Sequence, residues 1–204
     1  TPLFTSPLAG PVLMSYLGHY LTQELAETES VHGVFLEVLG LGVLLKGNAG
    51  VGKSELALEL ITRGHRLVAD DVVDLKHVAP ETLEGVCPPL LRDFLEVRGL
   101  GLLNIRSLFG ETAVKQRKNL KLIVELVQPD EIGERGLNRL EMVASAEPIL
   151  GVAIPKVCVP VAAGRNLAVL IEVAVRNHIL RSRGIHPVEQ FILRQQEAIN
   201  GQGT

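Results

Sequence analysis

The most informative run in the chain is Gly47-Asn48-Ala49-Gly50-Val51-Gly52-Lys53-Ser54. It matches the pattern G-x-x-x-x-G-K-[ST], in which glycines let successive backbone N–H groups turn toward phosphate oxygens. The helix expected after such a loop directs the positive end of its dipole at the same anion. In this pattern Lys53 reaches the β- and γ-phosphates, and the Ser54 hydroxyl is a ligand for Mg²⁺. We therefore expect residues 47–54, the phosphate loop, to bind a nucleotide.

The flanking residues predict a strand, the loop and then a helix. Val43-Leu44-Leu45 is apolar and predicts a strand that enters the loop, while residues 55–63 have apolar side chains at helical spacing. A second apolar run at 31–38 precedes the first by only a short glycine turn, which predicts a hairpin or meander. Further strands are predicted at 65–71, 72–78, 83–86, 120–127 and 155–161, with another that includes residues 95–98, and helices at 12–27, 166–179 and 187–198.

Composition narrows the possible functions. The chain has 204 residues, 47% hydrophobic and 3% aromatic, which is enough for the core of one globular domain. A net charge of −3 argues against general nucleic-acid binding, and no segment has the roughly 18 apolar residues that a membrane span needs. Cys87 and Cys158 lack metal-ligand spacing and predict reduced thiols in a cytoplasmic protein. Because the chain begins at Thr1 without an initiator Met, we expect an excised domain.

Two acidic positions follow the phosphate loop. Asp70-Asp71 ends a predicted strand, and such a pair can hold Mg²⁺ and accept a proton from an attacking hydroxyl, although Asp-Asp is also common in solvated turns. Farther along, Glu96 and Arg98 alternate with apolar residues, so both would project from one face of a strand. There Glu96 is either a second metal ligand or an ordinary strand carboxylate. His32 lies at the start of the first predicted strand. Histidine can take part in catalysis, but a histidine in such a position is more often structural.

Two later segments have loop character. Residues 128–150 are polar, contain Arg135 and Arg139, and predict a long, partly ordered loop of the kind that forms lids or binding elements. Residues 162–165 form a second glycine turn, which ends in the cation Arg165.

These motifs together resemble the C-terminal catalytic domain of HPr kinase/phosphorylase. The similar runs are residues 52–55, 63–71 and 95–101, within a resemblance that covers about 32–177. It implies an α/β phosphate-loop domain with flanking helices, related to phosphoenolpyruvate carboxykinase, and a homohexamer. Residues 1–204 would be one catalytic domain, which in the family follows an N-terminal domain of separate fold. Family members use Mg²⁺ and ATP or pyrophosphate to phosphorylate a serine of the phosphocarrier protein HPr, and they remove that phosphate by phosphorolysis.

The resemblance also implies roles for single residues. The phosphate loop would hold ATP or pyrophosphate, and the metal ligands would be Ser54 and Glu96, with Asp70 supporting either the metal or the base. Asp71 would be the base that takes the serine proton, and in the reverse reaction the acid that returns it.

The remaining catalytic residues implied by the resemblance are His32, Lys53 and one arginine of the 128–150 loop. Arg139 is preferred to Arg135, because the run Asn138-Arg139-Leu140 better fits the family's spacing to Pro155. The segment 160–165 resembles one that serves mainly dephosphorylation.

Two other functions stay open at this point. One is a small-molecule phosphate-loop kinase of the same architecture, and the other is a nucleotide-gated binding module without phosphoryl transfer. The sequence has no guanine-reading Asn-Lys-x-Asp run, which weakens the GTPase version of the second. Asp70-Asp71 together with Glu96 favours transfer over binding alone.

Overall fold

The computed structural model describes residues 5–128, 145–162 and 164–201. The strands are β1 (Thr28–His32), β2 (Val34–Val38), β3 (Leu41–Gly47), β4 (Arg66–Ala69), β5 (Val72–Ala79), β6 (Thr82–Val86), β7 (Phe94–Val97), β8 (Gly101–Asn104), β9 (Arg117–Val127), β10 (Ser145–Ile149) and β11 (Val152–Pro160). The helices are α1 (Gly10–Glu24), α2 (Lys53–Thr62), α3 (Ile105–Phe109), α4 (Leu167–Ser182) and α5 (Pro187–Gly201), with short 3-10 turns at Pro89–Leu91 and Glu111–Ala113. None of these helices is long and apolar enough to cross a membrane.

A curled mixed β-sheet organises the chain. Its strand order is β1-β5-β6-β9-β3-β2-β4, and β11 also pairs with β9, with β10 beyond it. The long strand β9 joins the two parts of the sheet, because residues 117–119 pair with β6 and residues 120–127 pair with β3 and β11. Strands β3, β9 and β11 run parallel to one another, whereas the other pairings are antiparallel. The expected α/β class is therefore confirmed, with more antiparallel sheet than a simple nucleotide-binding fold contains.

Both faces of the sheet are buried, which explains the almost continuous apolar run of β2. Val34, Leu36 and Val38 pack in the cluster that α2 and α4 cover. Phe35 points the other way, into a second cluster with residues of β5, β6 and β10. Alternate side chains of one strand thus enter separate cores. This double burial fixes β3, beside β2, and with it the point where the phosphate loop begins.

The hairpin predicted ahead of the phosphate loop is confirmed between β2 and β3. Its two-residue turn contains Leu39 and Gly40, both with positive φ, which matches the twist of the flanking strands. The single strand predicted at 31–38 is wrong, because the chain divides at Gly33 into β1, which pairs with β5, and β2. A Cβ at Gly33 would lie 2.6 Å from the carbonyl oxygen of Leu45, so this crossing of two strands requires glycine. His32 is consequently the last residue of β1 and not at the start of a strand.

The loop predicted at 128–150 is also wrong in its last part. Residues 145–149 form β10, which pairs with β11 and holds Glu147 between Lys46 and Lys156. Lys46 is distant in sequence, and β10 itself has few residues of high strand propensity, so the local pattern did not indicate this strand. Residues 129–144, with Arg135 and Arg139, lie outside the described residues.

Candidate functional site

A cavity of about 630 Å³ lies where the phosphate loop meets the ends of β1, β4 and β7. The structure brings most of the predicted site residues to its wall: His32, Gly47, Ala49, Gly50, Gly52, Lys53, Ser54, Asp70, Asp71 and Glu96. Asn48 and Val51 belong to the loop without lining the cavity, and Val51 is buried in the core beneath it. The volume lies within the range of ordinary small-molecule sites.

The phosphate loop has the backbone geometry that its glycines predict. It leaves β3 at Gly47, where a Cβ would come within 2.6 Å of the Leu126 carbonyl oxygen, and enters α2 through Gly52, which has a left-handed φ of 95°. The ammonium group of Lys53 donates hydrogen bonds to the carbonyl oxygens of Gly47 at 2.9 Å and Asn48 at 3.1 Å. Lys53 therefore folds back over its own loop and concentrates positive charge there.

Asp70 and Asp71 adjoin each other in sequence but have different surroundings. Asp70 is only 8% exposed, and its Oδ2 accepts a hydrogen bond of 2.9 Å from the backbone N–H of Glu96. Burial raises the pKa of the Asp70 carboxyl, while hydrogen bonds from the Glu96 and Asp71 backbones and the Ser54 hydroxyl oppose that shift. The side chain of Asp71 is 79% exposed. One carboxylate is thus built into the wall, and its neighbour is open to a substrate.

The backbone at Asp71 is a tight turn with positive φ. Its φ is 64°, and the N–H of Val72 donates to the carbonyl oxygen of Asp70 at 2.8 Å, which closes a three-residue turn. Turns of this kind are rare and cost free energy for a residue with a side chain, although Asp tolerates positive φ better than most residues. Gly33 N–H also donates to the Asp71 carbonyl oxygen at 3.1 Å, so the end of β1 holds the turn in place.

His32 lies beside this turn. Its Nδ1 is 3.3 Å from the Asp71 carbonyl oxygen and 3.8 Å from the Asp71 Oδ1. Both side chains are largely exposed, at 85% for His32 and 79% for Asp71. A histidine in this place can contact Asp71 and an entering substrate at the same time.

Strand β7 supplies the remaining acidic group. Leu95 and Val97 are buried, at 0% and 3% exposed, whereas Glu96 and Arg98 are exposed and line the cavity. The alternation seen in the sequence therefore corresponds to one face of β7. Arg98 and Glu55 also reach the cavity and were not predicted as site residues. The alternation with Glu96 was the signal that would have selected Arg98.

The oxygen atoms at one side of the cavity suit Mg²⁺. Asp70 accepts hydrogen bonds from the Ser54 hydroxyl and from the Glu96 backbone, and Ser54, Asp70 and Glu96 all line the cavity. Across the described residues, no group of three or more His, Cys, Asp or Glu side chains is arranged to hold a metal ion. Mg²⁺ commonly binds through one or two carboxylates and completes its shell with waters and substrate phosphates, so this donor set fits.

An ion-pair cluster around the buried Glu172 links elements that lead to the site. Glu172 of α4 accepts two hydrogen bonds from Arg63, at 2.8 and 2.9 Å, and contacts His65 Nε2 at 3.0 Å. Hydrogen bonds from Arg63 lower the pKa of Glu172 to about 2, against the effect of burial, with further help from His65. This cluster joins the end of α2 and the start of β4, the elements that lead from Lys53 and toward Asp70. Local sequence patterns do not indicate this cluster.

Comparisons with known proteins point to one family. The sequence model described as the HPr Serine kinase C-terminal domain matches residues 23–195. The chain is 55% identical to a protein of Chromobacterium violaceum over 201 residues and 58% identical to one of Nitrosomonas europaea over 200 residues, both named HPr kinase/phosphorylase. These alignments cover 98% of the chain but only 63% and 62% of the two relatives.

A solved structure agrees with the sequence comparisons. The Hpr(Ser) kinase/phosphatase from Coxiella burnetii is 40% identical and superposes with a TM-score of 0.72, covering 76% of this chain and 93% of that one. Its fold is therefore similar to the curled mixed sheet described above. The match to residues 23–195 and the identities above 50% show that the chain belongs to the HPr serine kinase C-terminal domain family.

Proposed function

We propose that this chain is the catalytic domain of a bifunctional enzyme that phosphorylates a serine of HPr and removes the phosphate by phosphorolysis. The observation that carries the proposal is the single cavity in which the phosphate loop, Asp71 and Glu96 meet. A protein that only binds nucleotide has no need of an exposed carboxylate beside the phosphate loop. The named relatives support HPr as the acceptor.

In the kinase direction, the serine oxygen of HPr attacks the γ-phosphorus of ATP. Asp71 accepts the proton of that hydroxyl, the bond from the γ-phosphorus to its bridging oxygen breaks, and ADP leaves. Lys53 and the backbone N–H groups of the phosphate loop neutralise charge on the phosphates. Pyrophosphate is proposed as an alternative donor, since the same loop recognises phosphates and not the base.

In the phosphorolytic direction, an oxygen of inorganic phosphate attacks the phosphorus of phosphoserine. The bond from phosphorus to the serine oxygen breaks, Asp71 in its acid form gives its proton to that oxygen, and pyrophosphate leaves. One carboxyl group that alternately holds and releases a proton therefore serves both directions. His32, 3.8 Å from the Asp71 carboxylate, is placed to influence that exchange.

Ser54, Glu96 and Asp70 are proposed to hold Mg²⁺, which when bound withdraws charge from phosphate oxygens. Arg139 stays proposed as the loop arginine of the catalytic set, with Arg135 as the alternative. The relation to phosphoenolpyruvate carboxykinase, the single domain over 1–204 and the homohexamer are likewise proposals that rest on the family resemblance. A cytoplasmic location is proposed as well, consistent with two free cysteines.

The test is a pair of assays with HPr and phospho-HPr. Wild-type protein is expected to form phosphoserine from ATP, Mg²⁺ and HPr, and to form pyrophosphate from phosphate and phospho-HPr. If neither product appears when the longer chain typical of the relatives is used, the proposal is wrong, and a small-molecule kinase or a nucleotide-gated module takes its place.

The role of Asp71 is tested by Asp71→Asn. Asn tolerates the positive φ of this position, so the turn should remain intact while the proton acceptor is lost. We expect both reactions to fall by a factor of about 10² to 10⁴ while ATP affinity stays within a few fold. Asp74→Asn, three residues farther on and outside the cavity wall, is the matched control and should keep full activity. Near-normal turnover of Asp71→Asn would show that Asp71 is not the base.

A further inference from the structure

Four carboxylates line the cavity, and one of them has no part in the reaction proposed above. Asp70, Asp71 and Glu96 are the proposed metal ligands and proton acceptor. The fourth is Glu55, which directly follows Ser54 in the first turn of α2 and takes part in neither direction of the reaction. It adds a negative charge to the wall of a cavity whose ligands are themselves phosphates, and like charges at short range repel each other.

The Glu55 side chain is not held by a cation of the protein. It is exposed, and among the residues that the structure describes it has no hydrogen-bond or ion-pair partner. The carboxylates of Glu37, Glu147 and Glu172, in contrast, each contact at least two basic side chains. Because no such contact neutralises it, the Glu55 carboxylate contributes its full negative charge to the cavity.

Glu55 and a bound phosphate lie at the same end of α2. Gly52 is the N-cap of this helix and Glu55 is its third residue, from which a Glu side chain can reach back toward the N–H of the N-cap. Glu55 Oε2 lies 3.9 Å from the position that a Cβ on Gly52 would take. The positive end of the helix dipole attracts either anion. A phosphate bound by the phosphate loop therefore has the Glu55 carboxylate as a neighbour of like charge.

We propose that Glu55 limits the affinity of the site for pyrophosphate, so that the pyrophosphate formed by phosphorolysis leaves the cavity. The inference rests on the proposed function and concerns the release of one product, not the chemical step. Phosphorolysis joins inorganic phosphate to the phosphoryl group of phosphoserine and leaves pyrophosphate in the phosphate loop. Tight binding of that product would keep the enzyme in its product complex, and the charge of Glu55 opposes such binding.

The test is the binding of pyrophosphate, measured by calorimetry with Mg²⁺ at fixed concentration and without HPr. Glu55→Gln should bind pyrophosphate about 3- to 10-fold more tightly than wild type, because one repulsive charge is removed. Glu55→Asp keeps the charge and should stay within about 2-fold of wild type. Glu59→Gln is the matched control, since Glu59 lies one turn farther along α2 and does not line the cavity, and it should also stay within about 2-fold.

Three further measurements separate this role from others. Glu55→Ala should gain as much affinity as Glu55→Gln, which excludes a new hydrogen bond from the Gln amide as the cause. The gain should shrink as the salt concentration rises from about 0.05 to 0.5 M, because ions screen exposed charges. In the phosphorolysis assay, pyrophosphate should inhibit Glu55→Gln at a concentration lower than for wild type by the same factor as the gain in affinity.

Glu55→Gln protein that binds pyrophosphate no more tightly than wild type would overturn the inference. Weaker binding would instead make Glu55 a metal ligand or a residue that stabilises the start of α2. A gain that is absent in Glu55→Ala, or equal at low and high salt, would overturn the inference as well, as would wild-type protein that binds no pyrophosphate. Failure of the proposed function is distinguishable, because wild-type protein would then form neither phosphoserine nor pyrophosphate, whatever the affinities of the Glu55 variants.

Discussion

Replacing Glu172 by Gln tests whether the ion-pair cluster around this residue stabilises the elements that lead to the site. The change keeps the shape of the side chain and removes the charge that Arg63 and His65 contact. A fall of the Glu172 pKa from 4.5 to about 2 corresponds to about 3 kcal/mol, at about 1.4 kcal/mol per pH unit. Because 35% of the Arg63 side chain is exposed, solvent screening reduces the expected loss to about 2 kcal/mol.

The dependence on pH follows from the direction of the shift. A carboxyl whose pKa is lower in the folded state stabilises that state above its unfolded pKa, and this stabilisation disappears as pH falls through the folded pKa. The difference between wild type and Glu172→Gln should therefore be full from pH 7 to pH 5, begin to shrink below 4.5, and reach less than half of its full value by about pH 3.

The assay is urea denaturation of both proteins over that pH range, followed by a signal of secondary structure. Glu197→Gln is the control, because Glu197 is exposed on α5 and its loss should change the unfolding free energy by less than about 0.5 kcal/mol. A loss below about 0.5 kcal/mol for Glu172→Gln at pH 7, or a loss that does not change between pH 7 and 3, would show that the ion pairs of Glu172 do not stabilise the folded state.

Three other predictions concern the site itself. Arg165→Ala should reduce phosphorolysis at least several-fold more than the kinase reaction, as the resemblance of residues 160–165 implies; equal losses in the two assays, or the same pattern in the exposed Arg183→Ala, would contradict it. Glu96→Gln should raise the Mg²⁺ concentration for half-maximal activity about 10-fold or more, because one proposed ligand loses its charge; an unchanged Mg²⁺ titration would remove Glu96 from the metal site. Gly47→Ala should weaken ATP binding and lower the unfolding temperature, because its Cβ would lie 2.6 Å from the Leu126 carbonyl oxygen; normal binding and stability would show that the loop tolerates a side chain there.

The sequence indicated those features of the cavity that depend on local residue pattern. The phosphate loop is recognised by glycines at fixed spacing, which its backbone conformation requires. The alternation of Glu96 with apolar neighbours correctly indicated which face of β7 lines the cavity. These features are encoded within a few residues of one another. Glycine spacing and strand periodicity therefore suffice to find them.

The sequence could not predict contacts between distant elements. Glu172 contacts Arg63 across 109 positions, and Lys46 contacts Glu147 across 101. Nothing in the local pattern of either carboxylate distinguishes it from an exposed one. The strand β10 was missed for a different reason: its partner β11 is adjacent in sequence, but β10 has few residues of high strand propensity.

The pair Asp70-Asp71 shows most clearly what the fold adds to the sequence. Two identical neighbouring side chains are a single feature in the sequence, yet the turn at Asp71 gives them opposite surroundings. Asp70 is tied to the Glu96 backbone and belongs to the wall, whereas Asp71 projects into the open cavity beside His32. In the proposed reaction, Asp71 accepts a proton in one direction and returns it in the other, so it has to reach the substrate, whereas Asp70, as a proposed metal ligand, has to be fixed in place. The turn separates these two requirements between adjacent residues, which is why exchanging Asp71 alone should stop transfer without preventing nucleotide binding.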